Sequence, residues 1–163
     1  MAEKDYTRRA FLRKFAALSS ASLLLSLHHG CGPVYGPKSV YGPPPVGSVT
    51  GIYFLDSQSN QVPLKGSDAV PVHTQFVISF SIDMLMSSVA SAINFTDSGN
   101  NSVAYTKTWD TTNSQSRTIR VIPESDLLHN ESYTLSVGPS AMDSYGRYLN
   151  VTADATAYFK TAA

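Results

Sequence analysis

From residue 50 onward, apolar and polar side chains alternate along short segments that are bounded by turn residues. In the clearest segment, QFVISFSI at 75–82, every second residue from Phe76 to Ile82 is apolar. Successive side chains of a strand point to opposite faces of the sheet, so strict alternation is typical of strands with one buried and one solvated face. The pattern therefore constrains residues 50–163 to an all-β architecture.

About seven segments follow this pattern, and turn residues separate them. The predicted strands are 51–55, 75–82, 92–96, 103–109, 117–122, 132–137 and 155–161. The predicted turns are 98–100, 110–114 and 143–146, and only 87–92 has room for a helical turn. Many short strands without a long helix favour a two-sheet β-sandwich.

Charge is unevenly distributed along the chain. Residues 1–15 carry five basic and two acidic side chains, net +3, whereas the residues after Cys31 carry seven basic and ten acidic ones, net −3. A positive N-terminus followed by an acidic remainder indicates targeting and argues against a nucleic-acid partner, which needs a basic face. The single cysteine excludes an intrachain disulfide.

The N-terminal residues have the order of an export signal: a basic segment, then the uncharged stretch 16–27, which is too short to cross a hydrocarbon core of about 30 Å. The segment TRRAFLR at 7–13 resembles the twin-arginine signal family in Arg8, Arg9, Phe11 and Leu12. The resemblance implies a bacterial signal peptide over 1–30 and a twin-arginine translocase that exports the folded protein. The alternative is an amphipathic first helix of the fold.

Cys31 follows the apolar run and Gly30, and this arrangement resembles the acylated cysteine of bacterial lipoproteins. The family usually has leucine three residues before the cysteine, where this chain has His28. The resemblance implies a membrane anchor at Cys31, because two acyl chains hold a protein on a bilayer. The alternative is an ordinary signal peptide with an incidental thiol.

Residues 31–49 are rich in proline and glycine and contain Val-Tyr-Gly-Pro twice, at 34–37 and 40–43. Proline fixes φ and removes backbone donors, so this segment is predicted to be a disordered, partly polyproline-II linker. It is similar to short lipoproteins with Tyr-Gly-Pro segments, some of them suspected substrates of maturation enzymes. A modified or recognised Tyr-Gly-Pro segment is therefore the alternative interpretation.

The order of motifs in residues 80–161 resembles the bacterial Ig-like domains first described in S-layer proteins. The motifs are Phe80-Ser81 before Met84 and a serine-rich turn, a strand ending at Pro123, the turn Asp143-x-x-Gly146, and a closing Phe159-x-Thr161. The resemblance implies an Ig-like two-sheet sandwich. The chain departs from the family at Arg147, where asparagine is usual after the turn glycine.

The sequence contains no recognisable catalytic or cofactor motif. His73 and His129 have no nucleophile motif nearby, and Gly-x-Ser-x-Gly is absent. Asp143-x-x-Gly146 offers one carboxylate, too few for calcium, and predicts a turn whose aspartate accepts backbone N–H bonds. We therefore expect a non-catalytic protein without a cofactor.

Four aromatic residues, Trp109, Tyr105, Tyr145 and Tyr148, form a candidate ligand surface, because aromatic rings stack on sugars. In a sandwich, aromatic side chains near strand ends more often cover the core.

The sequence thus predicts three regions: a signal peptide (1–30), a linker after an acylated cysteine (31–49) and an Ig-like β-sandwich (50–163). The expected protein is a lipoprotein of the bacterial cell envelope whose Ig-like domain serves structural or adhesive binding to an envelope protein or glycan. The alternatives are a carbohydrate-binding module and a carrier of a modified Tyr-Gly-Pro segment.

Overall fold

The structure is a computed structural model, and it describes residues 45–110 and 117–163. A helix, α1 (Met86–Ala92), and a short 3₁₀ helix, Ala153–Ala155, accompany the strands. The strands are β1 (Val49–Leu55), β2 (Gln61–Pro63), β3 (Phe76–Phe80), β4 (Ile93–Asp97), β5 (Tyr105–Trp109), β6 (Thr118–Pro123), β7 (Ser132–Val137) and β8 (Thr156–Lys160).

The strands form two sheets in which all neighbours are antiparallel. One sheet has the order β2-β1-β3-β6-β5, and the other has the order β4-β7-β8. This architecture confirms the all-β two-sheet sandwich and the helical turn predicted near 87–92. Among the described strands, only the short edge strand β2 has no predicted counterpart in the sequence.

Aromatic side chains from both sheets fill the space between them. The ring of Phe76 on β3 lies 5.4 Å from that of Phe95 on β4 and 5.2 Å from that of Phe159 on β8, measured between ring centroids. Tyr133 on β7 stacks against Phe159 at 5.6 Å. Offset and edge-to-face aromatic pairs contribute beyond their buried area, so this cluster holds the two sheets together.

Two polar side chains secure the loop between β6 and β7. The hydroxyl of Tyr133 accepts a hydrogen bond from the backbone N–H of Leu128, as in the tyrosine corner of Ig-like sandwiches. The buried hydroxyl of Thr161 accepts from the N–H of Glu131 and donates to the carbonyl of Leu128. The closing threonine therefore ties the C-terminal strand to this loop.

Three five-residue turns share one construction. They are Asp56–Asn60, Asp97–Asn101 and Asp143–Arg147, with the sequences DSQSN, DSGNN and DSYGR. In each turn one carboxylate oxygen accepts the backbone N–H groups two and four residues later, and the side chain of the fifth residue donates to the carboxylate. The fourth residue of each turn has a positive φ, between 61° and 77°. The carboxylate thus organises the turn, as aspartate does in Asx-turns.

The register defines two ends of the sandwich. Val49, which begins β1, pairs with Phe80, which ends β3. We call this end, with residues 45–48, 81–92 and 138–152, the linker-proximal pole. The opposite end, with residues 56–60, 97–101 and 124–131, is the distal pole. Within the described residues, no helix is long and apolar enough to cross a bilayer.

Phe95→Ala tests the aromatic cluster. Because Phe95 is buried and its ring contacts four others, we expect the free energy of unfolding to fall by about 3–5 kcal/mol. Leu128→Ala, at a side chain that is 67% exposed, should change it by less than about 0.5 kcal/mol. Urea unfolding followed by circular dichroism measures both, and equal losses would contradict the packing described.

Candidate binding surfaces

The export and lipidation residues lie outside the described part of the chain. These residues are Arg8, Arg9, Phe11, Leu12 and Cys31, together with both Tyr-Gly-Pro repeats. The predicted turn at 110–114 also lies outside it, except for Asp110.

Tyr105 and Trp109 lie on β5 and are partly buried against the core. The Tyr105 hydroxyl donates to the carbonyl of Ile93 at 2.9 Å, and burial raises the pKa of this phenol. The Trp109 ring packs against Phe80, with centroids 6.4 Å apart. Both side chains therefore help to close the edge of the core between the two sheets.

Tyr145 and Tyr148 lie in the loop that follows β7, at the linker-proximal pole, and are 73% and 64% exposed. The guanidinium of Arg147 lies 5.2 Å from the ring centroid of Tyr145, within range of a cation–π interaction. The four predicted aromatic residues therefore separate into a core-covering pair and an exposed pair.

A polar groove, which the sequence analysis did not predict, runs over the outer side of the five-stranded sheet. It has a volume of about 430 Å³. Leu55 and Val77 are its only apolar lining residues. The polar ones are Asp56, Ser59, Gln61, His73, Thr74, Gln75, Asp110, Thr118 and Arg120. These come from four separate stretches of sequence, so no local pattern could have identified the groove.

The groove offers both hydrogen-bond donors and acceptors. Arg120 on β6 is exposed and pairs in register with Val77 at the centre of the sheet. His73 contacts the carboxylate of Asp126, which lines a smaller adjoining cavity. Hydrogen bonds from Asn60 and from the backbone lower the pKa of Asp56, so its carboxylate is ionised at neutral pH. Such a surface suits a ligand rich in hydroxyl or amide groups.

The third aspartate turn attaches the end of the linker to the domain. Asp143 is fully buried, and its carboxylate accepts Arg147 Nε at 2.8 Å as well as two backbone N–H groups. Arg147 Nη2 also donates to the carbonyl of Pro45 at 2.7 Å. The N–H of Asn150 donates to the carbonyl of Gly47, and Ser48 bridges to Asn150 in parallel. Residues 45–48 are therefore bound to the domain through this turn.

The sign of the Asp143 pKa shift follows from these contacts. Burial alone would raise the pKa, but hydrogen bonds from Arg147 and Tyr145 and the charge of Arg147 outweigh it and lower the pKa below 3.8. Within the described ranges, no three His, Cys, Asp or Glu side chains are grouped so that they could hold a metal ion. The prediction that Asp143 serves a turn is confirmed by its backbone hydrogen bonds.

Asp143→Asn tests this attachment and its pH dependence. The amide would turn its NH₂ group towards Arg147, so unfolding at neutral pH should become easier by about 2–3 kcal/mol. Because the folded pKa lies below 3.8, the aspartate contributes its stabilisation above that pH and loses it as the pH falls through the folded pKa. The difference between wild type and variant, measured by urea unfolding, should therefore shrink below pH 3.8.

Asp154→Asn is the matched control. Its pair with Lys65 spans 3.8 Å between exposed side chains, so its loss should cost less than about 0.5 kcal/mol. A pH-independent difference between Asp143→Asn and wild type would refute the proposed role of the buried carboxylate.

The chain has distant structural relatives but no sequence match among curated proteins. It is similar to the N-terminal part of the bacterial S-layer protein SbsC (12% identity, TM-score 0.46), covering 72% of this chain and 24% of that one. It is similar to domains 1–6 of the surface layer protein SbsC (12% identity, TM-score 0.47), and the match covers 73% of this chain and 14% of that one. It is also similar to the LD transpeptidase LdtMt1 in complex with imipenem (16% identity, TM-score 0.44), and the match covers 72% of this chain and 41% of that one. The chain thus spans less than half the length of each of these proteins.

The family comparison is more direct. The profile of the bacterial Ig-like domain matches residues 58–161, well over half of the chain. The matched region contains seven of the eight strands, the aspartate turns at 97–101 and 143–147, and the closing threonine. This protein therefore belongs to the bacterial Ig-like domain family.

Proposed function

We propose that this protein is a non-catalytic lipoprotein of the bacterial cell envelope, exported by the twin-arginine route and anchored through acylated Cys31. Its Ig-like domain presents a binding surface to an envelope glycan or protein. One observation carries the proposal: the end of the linker is hydrogen-bonded to one pole, while most residues that line the polar groove lie on the outer side of the five-stranded sheet and towards the distal loop 56–60. A tether at one pole leaves the groove accessible.

Polar lining residues favour a glycan as the ligand of the groove. The hydroxyl groups of a sugar can exchange hydrogen bonds with Gln61, Gln75 and Arg120, which supply amide and guanidinium groups. None of the four candidate aromatic residues lines the groove, because Tyr105 and Trp109 are partly buried on β5 and Tyr145 and Tyr148 lie at the linker-proximal pole. The competing proposal is that the domain carries a modified Tyr-Gly-Pro segment. The intact mass of the mature protein distinguishes the two, because a protein that is only acylated carries no mass beyond the acyl groups.

Cys31→Ser tests the anchor. Without the thiol no acyl chains can be attached, so the protein should move from the membrane fraction to the soluble exported fraction and lose incorporation of radiolabelled palmitate. Arg8→Lys combined with Arg9→Lys should instead retain the full precursor inside the cell. Unchanged membrane association in Cys31→Ser, with a mature mass that differs from wild type only by the exchange of sulfur for oxygen, would overturn the lipoprotein proposal.

Arg120→Ala combined with Gln61→Ala tests the groove. Both side chains are exposed, so their loss should leave the unfolding free energy within about 0.5 kcal/mol of wild type. Retention of the chain on purified peptidoglycan sacculi should fall sharply. Lys65→Ala, which also removes an exposed cation but lies outside the groove, should retain binding. Wild-type retention by the groove variant would exclude the groove as the glycan surface.

A further inference from the structure

We propose that the linker-proximal pole docks on the surface of the membrane, so that the anchored domain rests on the bilayer through this pole. The inference rests on the proposed lipid anchor. It goes further by assigning the contact surface and the orientation of the domain. Three observations carry it: the distribution of exposed apolar side chains, the distribution of charge, and the place where the chain enters the domain.

Exposed large apolar side chains are concentrated at the linker-proximal pole. Six of the eight in the described residues lie there: Val46, Leu85, Met86, Tyr145, Tyr148 and Val151. Hydrogen bonds connect the three segments that carry them, since Leu85 N–H donates to the Met142 carbonyl and Asn150 N–H to the Gly47 carbonyl. Tyrosine and aliphatic side chains together are typical of surfaces that insert shallowly into the headgroup region.

The charges of the two poles differ in a way that orients the domain. Residues 45–48, 81–92 and 138–152 contain two acidic residues, and each pairs with an arginine: Asp83 with Arg117, and Asp143 with Arg147. Asp110 also lies at this end, where its N–H donates to the carbonyl of Thr118. The distal pole has five acidic residues and no lysine or arginine: Asp56, Asp97, Glu124, Asp126 and Glu131. An anionic bilayer therefore repels the distal pole more strongly than it repels the apolar, linker-proximal pole.

The tether ends at the apolar pole. Pro45, whose carbonyl is bound by Arg147, is the first described residue, and only 13 residues separate it from Cys31. Fully extended in polyproline-II geometry, those residues reach about 40 Å. A lipid at Cys31 therefore keeps the linker-proximal pole at high effective concentration next to the bilayer, and weak apolar contacts suffice for docking.

Hydroxyl-radical footprinting of the tethered full chain tests the proposal. Cys31 is the sole cysteine, so coupling it to a maleimide lipid in vesicles of phosphatidylethanolamine and phosphatidylglycerol supplies a tether whether or not the native protein is acylated. We expect oxidation of Met86, Tyr145 and Tyr148 to fall several-fold on vesicles relative to the untethered chain. Tyr158, which is equally exposed but lies outside the pole, should change little.

Two variants separate docking from other sources of protection. Tyr145→Ser combined with Tyr148→Ser should restore oxidation of Met86 on vesicles, whereas Tyr158→Ser combined with Leu128→Ser should not. Undiminished oxidation at the pole on vesicles would overturn docking. Equal protection of the pole in the absence of vesicles would also overturn docking, because the linker would then be what covers the pole. Protection that rises with protein concentration would overturn it as well, because a second copy of the chain would then cover the pole. Because the tether in this experiment is synthetic, its result does not depend on whether Cys31 is acylated in the cell. Natural acylation is tested separately by the intact mass of the mature protein.

Discussion

The contact between the inner faces of the two sheets is the interaction on which the rest of the structure depends. Phe76 on one sheet meets Phe95 and Phe159 on the other, and neither sheet could bury its apolar face alone. The loops that carry the groove and the linker-proximal pole have their positions only because these faces are packed. Both candidate surfaces therefore depend on the packing of this core.

The repeated aspartate turn explains how a short chain closes several loops with little apolar material. Each carboxylate satisfies two backbone N–H groups and receives the side chain of its fifth residue. At 56–60 and 97–101 that residue is asparagine, which reaches only its own turn. At 143–147 it is Arg147, which is long enough to bind Asp143 and the Pro45 carbonyl together. Arg147, which stands where the resembled family usually has asparagine, thus adds a hydrogen bond to the linker beside the backbone bond of Asn150 to Gly47.

The sequence predicts the sandwich because the alternation in 75–82 and 132–137 is strong and local. The strand β2 was not predicted, because a segment of three residues shows no periodicity. The turn before it could have indicated a hairpin, since DSQSN at 56–60 has the same residue types as the turn predicted at 98–100. The groove could not be predicted, because its lining comes from segments that are distant in sequence. The difference in burial between Trp109 and Tyr148 could not be predicted either. The sequence shows that both residues are aromatic, but tertiary packing decides which of them is buried.

The two poles give the domain a direction that a sandwich does not need for stability. The exposed pair of Asp83 with Arg117 does little for folding, because exposed ion pairs contribute little, and the five acids of the distal pole have no cation within their own loops. Exposed apolar side chains likewise do not stabilise a soluble fold. The exposed apolar side chains and the paired acids occur together at the pole that binds the linker. A tethered domain requires this arrangement if it is to contact the bilayer on one side and present polar surface on the other.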